Sequence, residues 1–271
     1  MRGASFVRMI NYTERLTALM HDIVSRVPSL GPIDLGRVLV FARLGRSDAE
    51  GAYASCHCLT LPETEPGYFF WKDRQTGQLT RRSEWFVTKS PQVEIGGRPI
   101  NYLISFVLPR FSDQSLDRSR KREFYDDEPA WIAKLDTVVH ELYHIDPEGC
   151  GLRRAVLPDG NTSSKLHGPT YYQDVARMVR QYLATKPNAE LYEFLRYDFA
   201  GLTERYGGVV CTTFRNYPSF PQRYNETVRL AADAPENVKI EPMKRVSQPT
   251  RYTERDLSKR QFTPQTSRLA V

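Results

Sequence analysis

The stretch Trp131-Ile132-Ala133-Lys134-Leu135-Asp136-Thr137-Val138-Val139-His140-Glu141-Leu142-Tyr143-His144-Ile145 decides how the second half of the chain folds. Trp131, Leu135, Val138, Leu142 and Ile145 recur at spacings of four, three, four and three, the period of a helix with one apolar face. At about 100° per residue, His140 and His144 fall roughly opposite that stripe. Ala133 and Thr137 share the histidine side and are small, which leaves room for a cleft there. Pro129, preceded by Asp126 and Asp127 as capping candidates, marks the expected start, and the helix is expected to run to about Ile145.

Two imidazoles one turn apart on a helix can share a metal ion, and Glu141 beside them can reach a water at that ion. The chain has five histidines and 17 glutamates among 271 residues. Chance alone yields about 0.006 occurrences of His-Glu-x-x-His, so the pattern carries information. The alternative is a helix whose histidines are satisfied by ordinary hydrogen bonds. A catalytic zinc usually keeps three protein ligands and one open position. His167, directly before a helix expected to begin at Pro169, is the leading third ligand. A carboxylate is the rival, with Asp146, Glu148, Asp174, Glu190 and Glu193 available. His21, in the N-terminal helix, and His57, in a strand, read as structural. Alternation along that strand puts Cys56 and Cys58 on one face and His57 on the other, which favours buried thiols over a second metal site.

Outward from this motif, Thr13 to Val27 reads as an amphipathic helix through Leu16, Leu19, Met20, Ile23 and Val27, stopped by Pro28, Gly31 and Pro32. Strand candidates follow at Val38 to Leu44, Ala52 to Leu61, and Tyr68 to Lys72 with Leu79 to Thr88 around Thr76-Gly77. Gln92 to Ile95 and Ile100 to Leu108 flank Gly96-Gly97 and predict a hairpin. Further helices are expected from Pro169 to about Ala184 and from after Asn188 to before Gly207-Gly208. The expected class is α+β: an N-terminal helix, a small and mostly antiparallel sheet, then a helical half. The divisions are 1–33 for the N-terminal helix and lead-in, 34–215 for the core and 216–271 for an extended basic tail.

Hydrophobic residues make up 40% of the chain and aromatics 11%, a globular composition. No apolar run is long enough to span a membrane. The first ten residues lack the apolar stretch of a secretion signal, so the protein is expected not to be secreted. Four scattered cysteines point to a reducing, cytoplasmic setting and not to a disulfide framework. Of the net charge of +6, the last 28 residues carry +5, with seven Lys or Arg against Glu254 and Asp256. The segment 244–271 could meet nucleic acid or another acidic surface, or simply solubilise the chain end. Having no periodic apolar face, it is expected to be removable without loss of thermal stability. Arg118, Arg120, Lys121 and Arg122 read as a solvated basic surface.

His140 to His144, followed by His167-Gly168-Pro169-Thr170-Tyr171, resembles the SprT-like zinc metallopeptidases, where the motif is followed by a His-Gly-x-x-aromatic element that opens the next helix. The longer pattern through Ile145, Pro147, Gly151 and Arg153 to His167-Gly168 is similar to phage metallopeptidases, in a host cytoplasm or a virion. The likeness covers roughly Asp34 to Ala184 and rests chiefly on the last third of that range. It implies a zincin-like core, Zn2+ held by His140, His144 and His167, and Glu141 as the base of peptide-bond hydrolysis on a protein or peptide substrate. Tyr143, Arg153, Arg154, Tyr171 and Tyr172 are all candidate oxyanion donors, and the strand Ile100 to Leu108 could offer an edge to an extended peptide. The alternative is a non-catalytic protein that keeps the scaffold, either zinc-stabilised and structural or associated with nucleic acid through its tail.

Overall fold

The computed structural model describes residues 9–47, 50–60, 65–67, 70–84, 86–116, 120–126, 128–156, 160, 166–218, 222–224, 238–242 and 250–263. The fold is mixed α+β, with four α-helices and several small sheets among these residues.

The central sheet has the order β2-β10-β3. Its middle strand, β10 (Tyr102–Pro109), pairs in parallel with β2 (Val38–Gly45) and antiparallel with β3 (Ala54–Cys58). All eight residues of β10 are buried, because both faces of this sheet are covered. Tyr102, Ile104, Phe106 and Leu108 turn to one face together with Val40, Ala42 and Ala54, where the helices pack. Leu103 turns to the other with Phe41, Val93 and Phe214. This alters two expectations. The hairpin at Gly96-Gly97 closes between β8 (Gln92–Ile95) and the short β9 (Arg98–Pro99), and the chain then leaves it for β10. Since β10 is central, its backbone offers no edge to a peptide; the outer position next to the helices belongs to β3.

On the helical face, α1 (Tyr12–Arg26) is capped by the Asn11 side chain, which accepts from the Glu14 N–H at 3.3 Å. Its buried stripe of Tyr12, Leu16, Leu19, Met20 and Ile23 is close to the one read from periodicity. Then come α2 (Ile132–Tyr143), α3 (Tyr171–Ala184) and α4 (Phe199–Tyr206). The region after Asn188 begins as two short 3₁₀ segments, Ala189–Leu191 and Glu193–Arg196, before α4. α2 has no side-chain cap; Asp126 instead pairs with Arg122 at 3.2 Å, and Asp127 lies outside the described residues. No helix among the described residues is long and apolar enough to cross a membrane.

The extended tail expected for 216–271 is corrected over 250–263. There β15 (Leu257–Phe262) pairs antiparallel with β11 (Val209–Phe214), which also holds β1 (Ile10–Asn11) in parallel. The Phe262 ring is buried in the main core. Just before it, β14 (Arg251–Tyr252) pairs with β8. A strand of alternating Ser, Lys, Arg and Gln carries little periodic apolar signal, because one terminal ring supplies its burial. Two peripheral sheets complete the fold, β12-β7-β4 (Gln222–Tyr224, Phe86–Lys89, Glu65–Gly67) and β13-β6-β5 (Lys239–Glu241, Leu79–Ser83, Phe70–Lys72).

Candidate metal centre

His140 lies in the last turn of α2 and His144 is its C-cap, with the His144 N–H donating to the His140 carbonyl. Their Nε2 atoms stand 3.1 Å apart, and the Nε2 of His167 lies 3.2 Å from that of His144. One ligand atom from each histidine falls within 4.8 Å of the other two. Among the described residues this is the one cluster of His, Cys, Asp or Glu with metal-ligating spacing. None of the rival carboxylates joins it. Asp146 accepts from the Glu148 N–H at 2.9 Å, Asp174 from Arg177 at 2.8 Å and Glu193 from Arg205 at 2.7 Å.

The third histidine is placed by local chemistry. A Cβ on Gly168 would sit 2.6 Å from the Cβ of Ala155, so only glycine lets the turn after His167 approach the preceding segment. Tyr171, the first residue of α3, is buried against all three imidazoles and donates its hydroxyl to the His140 carbonyl at 3.0 Å, tying α3 to α2. The Tyr172 hydroxyl lies 3.4 Å from His167 Nδ1, on the side of the ring away from the cluster.

The segment after His144 folds back to satisfy the end of α2, whose last carbonyls lack helical partners. The Arg153 N–H donates to the His144 carbonyl at 2.8 Å and its Nε to the Tyr143 carbonyl at 2.9 Å, while its guanidinium lies 4.3 Å from the Tyr143 ring centre. This narrows the candidate oxyanion donors. The Tyr171 hydroxyl has a structural partner, Arg154 is exposed and Tyr172 stands beside His167, while Arg153 keeps a buried Nη2 without a partner.

The electrostatics suit a cation. Burial, then the neighbouring His144, Lys121 and His167, push His140 down to about 2. Burial and His167 push His144 down to about 4, and burial lowers His167. Three neutral imidazoles with converging Nε2 lone pairs are a donor set that fits zinc, whose bonds to nitrogen of about 2.0–2.1 Å span separations like these. Glu141 is buried, and burial raises its carboxyl to about 8 against the opposing influence of Lys121, the Cys56 N–H of β3 and Arg43.

Two expectations about the surroundings change. α2 is buried over all of residues 132–139, so Ala133 and Thr137 do not border an open cleft. The space beside them is filled by Lys121, which its place in a basic run predicts to be solvated. Its ammonium donates to the Ala133 carbonyl at 2.9 Å and to the Thr137 hydroxyl, and pairs with Asp136 at 2.7 Å. A lysine within a basic run carries no sequence mark of burial, and nothing in its spacing could have singled it out. As strand alternation predicts, Cys56 and Cys58 share the face toward the helices, where both are half-buried, while the His57 ring faces Tyr217 at 5.8 Å.

No protein-family model, curated protein or solved structure matches the chain.

Proposed function

We propose that this chain is a zinc-dependent peptidase with a zincin-like core of the SprT-like kind. The observation that supports it is the convergence of His140, His144 and His167, with the buried Glu141 following His140 in the helix. Zinc, when bound, supplies a Lewis acid that activates water and polarises a carbonyl at neutral pH. Glu141 acts as the proton carrier: its carboxylate takes the proton of the attacking water and its carboxylic acid returns it to the leaving amine. A group buried between α2 and β3, with an affinity for protons near neutrality, suits both halves of that exchange. Tyr171 and Tyr172 hold the rings of the ligand set in register. The outer edge of β3, not β10, receives an extended peptide by strand addition.

Zinc analysis and a digestion assay on an unfolded protein, run on the wild type and Glu141→Gln, test this reading. Both proteins are expected to carry about one zinc per chain, with hydrolysis falling by about 10²–10⁴ in the variant, since Glu141 is a base and no ligand. Loss of zinc in the variant would make Glu141 a ligand. Zinc without hydrolysis in the wild type would leave the non-catalytic, zinc-stabilised role.

A further inference from the structure

All four cysteines are free, and two of them meet at one residue. The Cys58 thiol, at the end of β3, lies 3.0 Å from the Thr60 hydroxyl, and the Thr60 N–H donates to the Cys58 sulfur at 3.2 Å. From the other side the Cys150 thiol reaches the Thr60 carbonyl at 3.7 Å, and the Gly151 N–H donates to the Thr60 hydroxyl at 2.9 Å. The Tyr102 hydroxyl donates to the Gly151 carbonyl at 2.9 Å, so the same loop is also pinned to the central strand. A thiol from the edge strand and a thiol from the loop that leaves the metal-ligating helix therefore contact a single threonine. Cys150 is exposed and stands between Gly149 and Gly151, whose φ values are 75° and 80°. An added Cβ at either glycine would meet nothing within 4 Å, so no packed neighbour crowds this turn. Cys56 faces the helices, and Cys211 is fully buried in β11.

We propose that Cys58 and Cys150 form a reversible disulfide that straps β3 to the loop following His144. The reaction is exchange with a low-molecular-weight disulfide. The Cys150 thiolate attacks one of its sulfurs, which breaks that S–S bond and releases one small thiol. The Cys58 thiolate then attacks the Cys150 sulfur, forming the protein S–S bond and releasing the second small thiol. The two protein thiols together lose two protons and two electrons, and the small disulfide is reduced to two thiols. Closure requires Cα atoms within about 7 Å, and both thiols already lie against the one residue Thr60. The strap would join the strand whose Cys56 N–H faces Glu141 to the segment whose Arg153 N–H holds the His144 carbonyl.

The test is incubation of the full chain with oxidised glutathione, alkylation of the remaining thiols, and mass spectrometry of a non-reducing digest. The expected result is loss of two free thiols per chain and a peptide pair joining Cys58 to Cys150, reversed by a phosphine reductant. In Cys58→Ser the link is lost and Cys150 retains glutathione. A wild-type chain that keeps glutathione on Cys150 while Cys58 is alkylated would overturn the proposal, as would a link to Cys56. None of these readouts depends on peptide hydrolysis, so a protein that forms the link yet cleaves nothing would sink the peptidase reading alone.

Discussion

His167 is the exposed member of a ligand set whose other two rings are held by the body of α2. Removing it should still be as damaging as removing a helical ligand, because each Nε2 is one of three. His167→Ala and His144→Ala are each expected to lower zinc affinity by at least about 100-fold, since loss of outer-shell partners alone costs about 10–100-fold. Glu190→Ala and Glu193→Ala should change it little. Competition with a chromophoric chelator measures all four, and a large loss in either glutamate variant would overturn the assignment. The depressed histidines also set a pH dependence for the metal-free protein. In the unfolded chain His140 and His144 take up protons below about 6.5. In the folded chain they resist until about 4 for His144 and about 2 for His140. The unfolded state thus binds more protons as pH falls, and stability is lost from about pH 6.5 downward, on the order of 1 kcal/mol per group per pH unit. Tm measured from pH 7 to 4.5 should fall less steeply in His140→Gln; equal slopes would show that His140 is not desolvated. Zinc retention should fall in the same direction, since protons compete for the same nitrogens. At this scale the sequence was legible for His140, Glu141 and His144, whose spacing is a local property of one helix. It left His167 competing with five carboxylates, because the approach of α3 to α2 depends on contacts such as Gly168 against Ala155 and the Tyr171 hydroxyl on the His140 carbonyl.

α2 is the element on which the centre is built, and its surroundings are more polar than its apolar stripe implies. Lys121 and Asp136 form an ion pair with little exposure on either side chain, and the Tyr125 hydroxyl donates to the second Asp136 oxygen at 2.8 Å. Burying this pair costs desolvation, but breaking it costs more, since one charge is then stranded. Lys121→Met is expected to destabilise the protein by about 3–5 kcal/mol, and adding Asp136→Leu should recover much of that loss. Chemical denaturation of the single and double variants checks this; a double variant less stable than the single would argue against a stranded charge. The limits of α1, α2 and α3 fall within a few residues of those expected from period alone, since each has a face that must be buried. Strand positions were legible for the same reason, but strand partners were not. β10 reads as one arm of a hairpin because Gly96-Gly97 stands nearby, yet the short β9 suffices to close that turn. A strand buried on both faces is then drawn between β2 and β3.

Across the whole molecule, the C-terminal segment closes the fold. β15 returns to β11, which carries β1 on its other side, and Lys259 pairs with Glu14 of α1 at 2.9 Å. Removal of residues 244–271, expected from composition to be harmless, should therefore lower Tm and expose the edge of β11. Phe262→Ala isolates the core part of that effect and is expected to cost about 3–5 kcal/mol. Unfolding curves that superimpose on the wild type would mean that β15 contributes nothing to stability. If the segment also binds nucleic acid, its basic residues on β15 do so from an ordered strand, and Lys259→Ala with Arg260→Ala should weaken that binding and flatten its salt dependence. By itself the sequence determined the helices, the main strands between Val38 and Leu108, the α+β class and the pair of histidines, because period and spacing record which side of an element is buried. The tertiary structure alone decided that β10 is central, that β3 is the edge beside α2, that Lys121 is half-buried against Asp136 and that the basic end is a strand. Each of these depends on partners distant in sequence, and the free energy of burying or pairing a group is set by what meets it, not by its neighbours along the chain.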